Sequence, residues 1–410
     1  MFLYLVVWWL LPTFGGELKN TKPRGQTRGF NFITGDCLVS FFAGQILNKS
    51  HKKFLMCKDT TNKTISKENP KKKGEESLKK KAKAKIIAHN FSRKLSEKNP
   101  ESKLIKAYEE SHYCSSSYTV EGGKAHSHYC HRPFCPICQR IQTAQNVEKF
   151  LPIMKFLQNE GREFYFVTLT CRNCVTGSVD ELRAFIKKNN KIWSEGIRTR
   201  HAFRSLKCSG VMKKECTYHV KDKKKGVYSF HYHFHVIVDS LEAAKYIVAQ
   251  WKKLQGAESD SRFQKYVKVQ DLENSALELF KYSSKASVSV TKSKKQKGKK
   301  TKIEKVEINY KALDMIYTAM HGMQRMSSFG KFREMIGDEA LNEFRDEDLE
   351  LNVEGLNVED GVYTWYMSVK DRVADWFNME TGEALCRYEV TSRDELLQEI
   401  YLEEEESPPE

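Results

Sequence analysis

The sequence predicts an α+β protein, and the pattern of side chains from residue 163 onward supports this prediction. Residues 163–171 form an unbroken run of β-branched and aromatic side chains, which indicates a buried strand. Two further strand-like stretches, residues 210–218 and 230–238, flank a Lys-rich turn that ends in glycine, and this order predicts a hairpin. Helical periodicity is found in residues 180–205, 240–255, 271–286 and 313–324, and a short strand is predicted at 263–269.

The charge of the chain is large and unevenly distributed. The 410 residues carry a formal net charge of +16, and the sequence pI is near 9.2. Residues 337–410 hold 23 Asp and Glu against 5 Lys and Arg, a net charge of −18 that leaves +34 for the rest of the chain. A basic body of this kind favours a polyanionic partner such as nucleic acid. The acidic segment either competes for the basic surface or is a solvated tail.

The first 106 residues are predicted to be an apolar start followed by a Lys-rich arm. Residues 2–11 are apolar, but they lack a basic flank and are short for a bilayer span, so they are either a weak signal or anchor or an upstream stretch of a misplaced start codon. Residues 48–106 are rich in lysine and poor in apolar side chains, which predicts a disordered or marginally helical arm. This arm either contacts phosphates or serves as a linker. The 11 cysteines have no secretory context, which favours the reducing cytoplasm.

Four cysteines have a spacing that is typical of a zinc site. Cys130, Cys135 and Cys138 form a Cys-x4-Cys-Pro-x-Cys pattern, and Cys114 lies upstream. Four thiolates suit tetrahedral, structural Zn²⁺, although a loop of free thiols is the alternative. Arg140 begins a helix that could lie along DNA. Three histidines compete for the place of the fourth ligand: His126, His128 and His131.

A strand with three alternating histidines is the second candidate metal site. His231, His233 and His235 share one face of residues 230–238, because successive strand side chains point to opposite faces. Imidazoles two residues apart on one face can hold a divalent cation. The predicted hairpin places Glu215 opposite His231 to His233, where its carboxylate is either a third ligand or the partner of a neighbouring lysine. Without a metal, the histidines would form a polar cluster on a solvated face.

The helix predicted at residues 271–286 carries a tyrosine with charged neighbours. Glu278 and Tyr282 are four residues apart, so in a continuous helix they share one face. Lys281 and Lys285 form an adjacent stripe. Taken alone, this pattern is typical of an ordinary amphipathic helix.

Three blocks of the chain, taken in order, resemble the motifs of a known family. They are Val167-Thr168-Leu169-Thr170, His231-Tyr232-His233-Phe234-His235-Val236 and Glu278-x-x-Lys281-Tyr282-x-x-Lys285. With the cysteine block and Gly330-Lys331-Phe332, the chain resembles the rolling-circle replication initiators of bacterial plasmids, single-tyrosine members of the HUH endonuclease superfamily. The resemblance covers about residues 112–335. It departs at Tyr232, where many relatives have proline.

The resemblance implies a fold and two metals. The fold would be a central antiparallel sheet with helices packed on it, an HUH or RRM-like palm, preceded by a zinc-binding module and flanked by flexible ends. His233 and His235 would bind Mn²⁺ or Mg²⁺, with Glu215 or His231 completing the site, and Zn²⁺ would be structural. The implied domains are an arm at 1–106, a zinc module at 107–160, a catalytic domain at 161–335 and an acidic tail at 336–410.

The resemblance also implies a reaction on plasmid origin DNA. Tyr282 would attack a phosphodiester in single-stranded or hairpin DNA, leaving a 5′-phosphotyrosine and a free 3′-OH primer. Glu278 would then act as general base for water in a second cleavage. Lys281, Lys285 and Arg140 would contact DNA, and a host helicase and polymerase would be partners. The alternatives are an HUH transposase or relaxase, a zinc-dependent DNA-binding regulator without catalysis, and a metal-dependent hydrolase.

Overall fold

Two antiparallel sheets organise the part of the chain that the computed structural model describes. The described residues are 70–222, 224–256, 263–281, 308–336, 349–354, 356–368, 372–386, 388 and 390. The larger sheet contains β3 (Tyr165–Thr170), β4 (Cys174–Thr176), β5 (Gly210–Asp222), β6 (Val227–Val238), β7 (Lys265–Lys268) and β8 (Met326–Phe329). The smaller sheet contains β1 (Ser117–Glu121), β2 (Lys124–Ser127), β9 (Leu351–Asn352), β10 (Gly361–Ser368) and β11 (Val373–Asn378).

The described helices are distributed along the whole of this region. They are α1 (Pro70–Lys98), α2 (Ile105–His112), α3 (Pro136–Asn159), α4 (Val179–Trp193), α5 (His201–Arg204), α6 (Leu241–Gln255), α7 (Leu272–Phe280), α8 (Tyr310–Ala319) and α9 (Lys331–Ile336). A π-helical turn, Ser194–Arg198, follows α4. None of the described helices combines the length and the apolar character that a bilayer crossing requires.

The histidine strand β6 lies in the middle of the larger sheet. The strand order is β7-β3-β6-β5-β8, and β4 pairs with β6 alongside β3. The predicted hairpin is therefore present as β5 and β6, and every pairing in the two sheets is antiparallel. These elements confirm the α+β prediction with antiparallel strands, although the chain forms two sheets where one central sheet was expected.

Helices cover both faces of the larger sheet. On one face, α4, α6 and α8 pack against the even-numbered side chains of β6, namely Tyr232, Phe234 and Val236. On the other face, α3 and α7 pack against Val211 and Ile237. His233 and His235 share the face of Ile237, because side chains two residues apart point the same way. The helices α3 and α7 therefore leave His233 and His235 partly exposed on this face.

Residues 70–98 form the helix α1, so of the two forms predicted for this segment, disordered or marginally helical, the structure has the helical one. Leu78 and Ala82 belong to the core of the smaller sheet, whereas Phe91 and Leu95 belong to the core of the larger sheet. Their helical spacing buries one side of α1 despite the many lysines. Burial of this apolar stripe offsets the entropy cost of ordering the segment, although its overall composition is poor in apolar residues.

The acidic segment after residue 336 is also folded in part. β10 pairs with β1, and β11 pairs with β10, so this segment completes the smaller sheet. Tyr363 and Trp376 are buried in its core. The predicted acidic tail is therefore wrong for residues 349–386, where alternating apolar side chains outweigh the local charge.

Three predicted helices end earlier than expected, among them the helix predicted at 313–324, which ends at Ala319. The segment 180–205 is divided into α4, the π-helical turn and α5, and Ser178 is the N-cap of α4. The helix predicted to reach residue 286 ends at Phe280, because Lys281 has an extended backbone with ψ 113°. The backbone at Lys281 thus contradicts a continuous helix between Glu278 and Tyr282, and Tyr282 itself lies outside the described residues.

Candidate functional site

Glu215, His233 and His235 converge on one face of the β5–β6 hairpin. The register pairs Glu215 directly with His233, as the hairpin predicted. The Nε2 atoms of His233 and His235 lie 3.1 Å and 3.4 Å from Glu215 Oε2. One ligand atom from each of the three residues lies within 4.8 Å of the others. Two imidazole nitrogens and a carboxylate oxygen at this spacing fit a divalent cation.

The surroundings lower the pKa values of two of these groups, Glu215 and His235. Burial opposes ionisation of Glu215, but hydrogen bonds to His233 and His235 and the charge of Lys213 outweigh it, so the pKa of Glu215 lies far below its ordinary value. Burial lowers the pKa of His235, which favours the neutral imidazole. An ionised carboxylate beside a neutral imidazole is the state in which both groups bind metal.

His231 shares the face of the cluster but is not part of it. Its ring packs edge-on against His219, with 4.7 Å between the ring centroids. His231 and Glu215 were the two candidates for the third metal ligand. Among the described residues, the group of three possible ligands contains Glu215 and not His231.

Lys213 joins the cluster to the segment that precedes Tyr282. Its side chain is 6% exposed, and its Nζ lies 3.8 Å from Glu215 Oε2. The same ammonium donates a hydrogen bond to the carbonyl oxygen of Lys281. Burial lowers the pKa of Lys213, while the charges of Glu215 and Glu278 act in the opposite direction. Lys213 is one of the neighbouring lysines that competed with a metal for Glu215, and its i, i+2 relation to Glu215 puts it on the same strand face.

The other residues of the predicted catalytic motif are only partly described. Glu278 and Lys281 are exposed and lie 3.9 Å apart, between Oε2 and Nζ. Tyr282 and Lys285 lie outside the described residues. Arg140 is exposed in the first turns of α3, as expected for a residue that contacts a partner.

The four predicted cysteine ligands form a second compact cluster. Their sulfur atoms all lie within 4.8 Å of one another. Cys138 Sγ is 3.5 Å from Cys114 Sγ and 3.7 Å from Cys130 Sγ. A zinc–sulfur distance of about 2.3 Å gives a tetrahedral edge of about 3.8 Å, so these positions fit Zn²⁺. Cys135 caps α3 and Cys138 lies in its first turn, where the helix dipole favours thiolates.

A buried lysine lies beside the cysteine cluster, and the sequence analysis did not anticipate it. Lys85 of α1 donates hydrogen bonds to the carbonyl oxygens of His112 and Cys114, at 2.9 Å and 2.7 Å. It also donates to Ser116 Oγ at 2.7 Å. Burial lowers the pKa of Lys85 to about 8, and the neighbouring cysteines act in the opposite direction. No local pattern in the sequence distinguishes Lys85 from the other lysines of α1.

Comparison with known proteins places the chain in a class that fits these two sites. Residues 123–373, more than half of the chain, match the model of the replication protein family Rep_1. The chain belongs to this replication protein family. The match supports a plasmid replication initiator that binds origin DNA. Membership of this family also suggests, in general terms, a nickase activity. Neither the curated proteins nor the solved structures gave a match.

Proposed function

We propose that this protein initiates rolling-circle replication by nicking and rejoining plasmid origin DNA through Tyr282, as HUH endonucleases do. The observation that carries the proposal is the convergence of Glu215, His233 and His235, together with the hydrogen bond from Lys213 to Lys281. This bond ties the residue directly before Tyr282 to the edge of the histidine cluster. The residue that precedes the proposed nucleophile therefore lies beside the proposed metal ligands, although the two segments are far apart in the sequence.

Glu215, His233 and His235 would hold a divalent cation. The mixture of imidazole and carboxylate donors favours Mn²⁺ over Mg²⁺, which prefers oxygen ligands. When bound, the cation would polarise the scissile phosphodiester and offset its developing negative charge. Zn²⁺ in the four-cysteine cluster would have a structural role, because four protein ligands leave no open position.

Tyr282 is the proposed nucleophile of the nicking step. Its phenolic oxygen forms a bond to phosphorus, while the bond from phosphorus to the 3′ oxygen breaks and that oxygen gains a proton. The products are a 5′-phosphotyrosine and a 3′-OH that primes synthesis. A phenol has an ordinary pKa of about 10, so nearby cations must favour the phenolate. Lys213 and Lys281 supply two such charges.

Glu278 is the proposed general base of the second cleavage. A motif with one tyrosine needs another nucleophile to end the cycle, and a water molecule activated by a carboxylate meets this need. Glu278 is exposed, and its carboxylate lies 3.9 Å from the ammonium of Lys281. Its charge also reaches Lys213. The Glu278 carboxylate would therefore lie beside the same two lysine ammonium groups that are proposed to favour the Tyr282 phenolate.

DNA binding would combine charge and shape. Arg140, Lys281 and Lys285 are the proposed phosphate contacts, and the net charge of +16 supports salt-dependent attraction. The strand at the nick site must be single-stranded, as in an extruded hairpin. A host helicase and polymerase would then extend the primer.

A covalent-adduct assay tests this function. The full chain is incubated with Mn²⁺ and a single-stranded oligonucleotide that spans the origin hairpin, and the products are separated on a denaturing gel. We expect an adduct that is lost in Tyr282→Phe and retained in Tyr366→Phe, a matched change at an exposed tyrosine of the smaller sheet. Glu278→Gln should accumulate the adduct, because its hydrolysis slows.

Each other outcome supports a rival function. Absence of an adduct with origin binding retained would favour the non-catalytic regulator. Cleavage without an adduct, unaffected by Tyr282→Phe, would favour the metal-dependent hydrolase. An adduct formed on transposon or transfer-origin DNA, but not on a replication origin, would favour the transposase or relaxase.

A further inference from the structure

A cavity of about 280 Å³ opens at the β8 edge of the larger sheet. One wall is the loop between Cys130 and Cys135, and the opposite wall is the end of α8 with the segment that follows it, residues 320–326. Gln142 of α3 and Ala107 of α2 complete the lining. The volume lies just below the range of about 300–1,000 Å³ that is usual for small-molecule sites, which suits a single flat ring system.

The sheet fixes the position of this cavity relative to the metal ligands. Lys213 pairs with His235 on one side and with Met326 on the other, so the three residues form a row across one face of the sheet. Met326 also lines the cavity. Neighbouring strands are about 4.8 Å apart, which puts the cavity wall about 10 Å from the His235 position. A phosphate at the metal centre would therefore have a neighbouring nucleotide within reach of the cavity.

The lining has the chemistry of a nucleobase site. The rings of Phe134 and Tyr317 line the cavity, 5.3 Å apart and largely buried, and with the other apolar side chains of the lining they give a base an apolar wall to contact. The amide of Gln142 offers both a donor and an acceptor for the edge of a base. Arg325 brings positive charge for an adjoining phosphate, whereas the guanidinium of Arg132, also in the lining, is paired with Glu110.

Hydrogen bonds hold the Cys130–Cys135 wall of the cavity in place. Gln139 Nε2 and Arg325 Nη1 both donate to the carbonyl oxygen of Pro133, at 2.7 Å and 3.1 Å. Cys130 and Cys135, at the two ends of this loop, belong to the cysteine cluster. The wall is thus anchored at its ends and in its middle.

We propose that this cavity receives one unstacked nucleobase of the nicked strand and thereby selects the base that stands beside the nick. The position next to the nick rests on the proposed function. Base binding itself requires no cleavage, so the two can be tested separately. The cysteine cluster would support base selection through the loop that it anchors.

Binding of single strands without divalent metal tests the proposal apart from catalysis. Fluorescence anisotropy compares the full chain with labelled oligothymidine, oligoadenosine and an abasic strand, each of about 12 nucleotides. At least one base-containing strand should bind about 5-fold more tightly than the abasic strand. Ala107→Leu, which narrows the cavity, should abolish this preference and leave abasic binding unchanged. Ala144→Leu, at an exposed position of α3, is the matched control.

Cross-linking of the wild-type chain gives a second readout that needs no variant. Strands that carry 5-iodouracil are irradiated on the protein, and the modified peptides are identified by mass spectrometry. Cross-links at Phe134 or Tyr317 support the proposal. A preference that survives Ala107→Leu, equal affinity for base-containing and abasic strands, or cross-links confined to other parts of the chain would overturn it. None of these results depends on adduct formation by Tyr282.

Discussion

At the scale of single residues, the buried ammonium of Lys213 links the two halves of the candidate site. Lys213→Met keeps the apolar stem but removes the charge beside Glu215 and the hydrogen bond to Lys281. We expect adduct formation to slow by about 100-fold, because a charge near the reacting phosphate is lost. Mn²⁺ binding should persist or strengthen, because a competing cation next to Glu215 is gone. Single-turnover adduct kinetics and Mn²⁺ titration measure the two effects.

The adjacent lysine provides the matched control for this prediction. Lys214 points to the opposite face, where its Nζ donates to the carbonyl oxygen of Gln324 at 3.0 Å. Lys214→Met should therefore leave the adduct rate within a few-fold of wild type. Equal slowing by both substitutions would contradict a specific role for Lys213.

The sequence predicted the site residues whose positions follow from local regularities, namely the alternation of side chains along a strand and the pairing across a hairpin. Strand alternation put His233 and His235 on one face, and the hairpin turn put Glu215 opposite His233. The contact between Lys213 and Lys281 could not be predicted, because it joins two elements that are 68 residues apart in the chain. Long-range contacts of this kind depend on the packing of α7, which no local pattern describes.

At the scale of elements, α1 supports the cysteine cluster from outside its ligand loop. Lys85→Met would leave the carbonyl oxygens of His112 and Cys114 without their donor and remove the positive charge beside four thiolates. We expect zinc affinity to fall by about 10- to 100-fold, the usual effect of losing such a supporting contact. Competition with a chromogenic chelator measures the change. Lys80→Met, at an exposed position of the same helix, should have no effect, and zinc retention unchanged in Lys85→Met would contradict the prediction.

The same helix shows why composition misled the sequence analysis. The many lysines of residues 70–98 suggested a solvated arm, but Leu78, Ala82 and Ile86 recur every four residues and are buried. Even Lys85 and Lys94 are buried. The apolar stripe was visible in the sequence, but the two cores that it completes belong to distant strands, so only the folded chain shows its partners.

At the scale of the whole molecule, the described strands after residue 336 complete the core of the smaller sheet. A chain that ends at residue 336 would lose β9, β10 and β11, including the buried Tyr363 and Trp376. We expect the free energy of unfolding to fall by at least about 5 kcal/mol, since two large aromatic side chains leave the core. Chemical denaturation measures this loss. A chain that ends at residue 390 keeps all the described strands and is the control for shortening the chain, so equal stability of the chains that end at 336 and 390 would contradict the prediction.

The cysteine cluster draws its ligands from both sides of the boundary at which similarity to the replication family begins. The family match starts at residue 123, whereas Cys114 precedes it and Lys85 lies further upstream. A fragment limited to residues 123–373 would therefore keep three of the four cysteines and would lose both Cys114 and Lys85. In this protein, one cysteine of the cluster and the lysine that faces it therefore come from residues that precede the matched region.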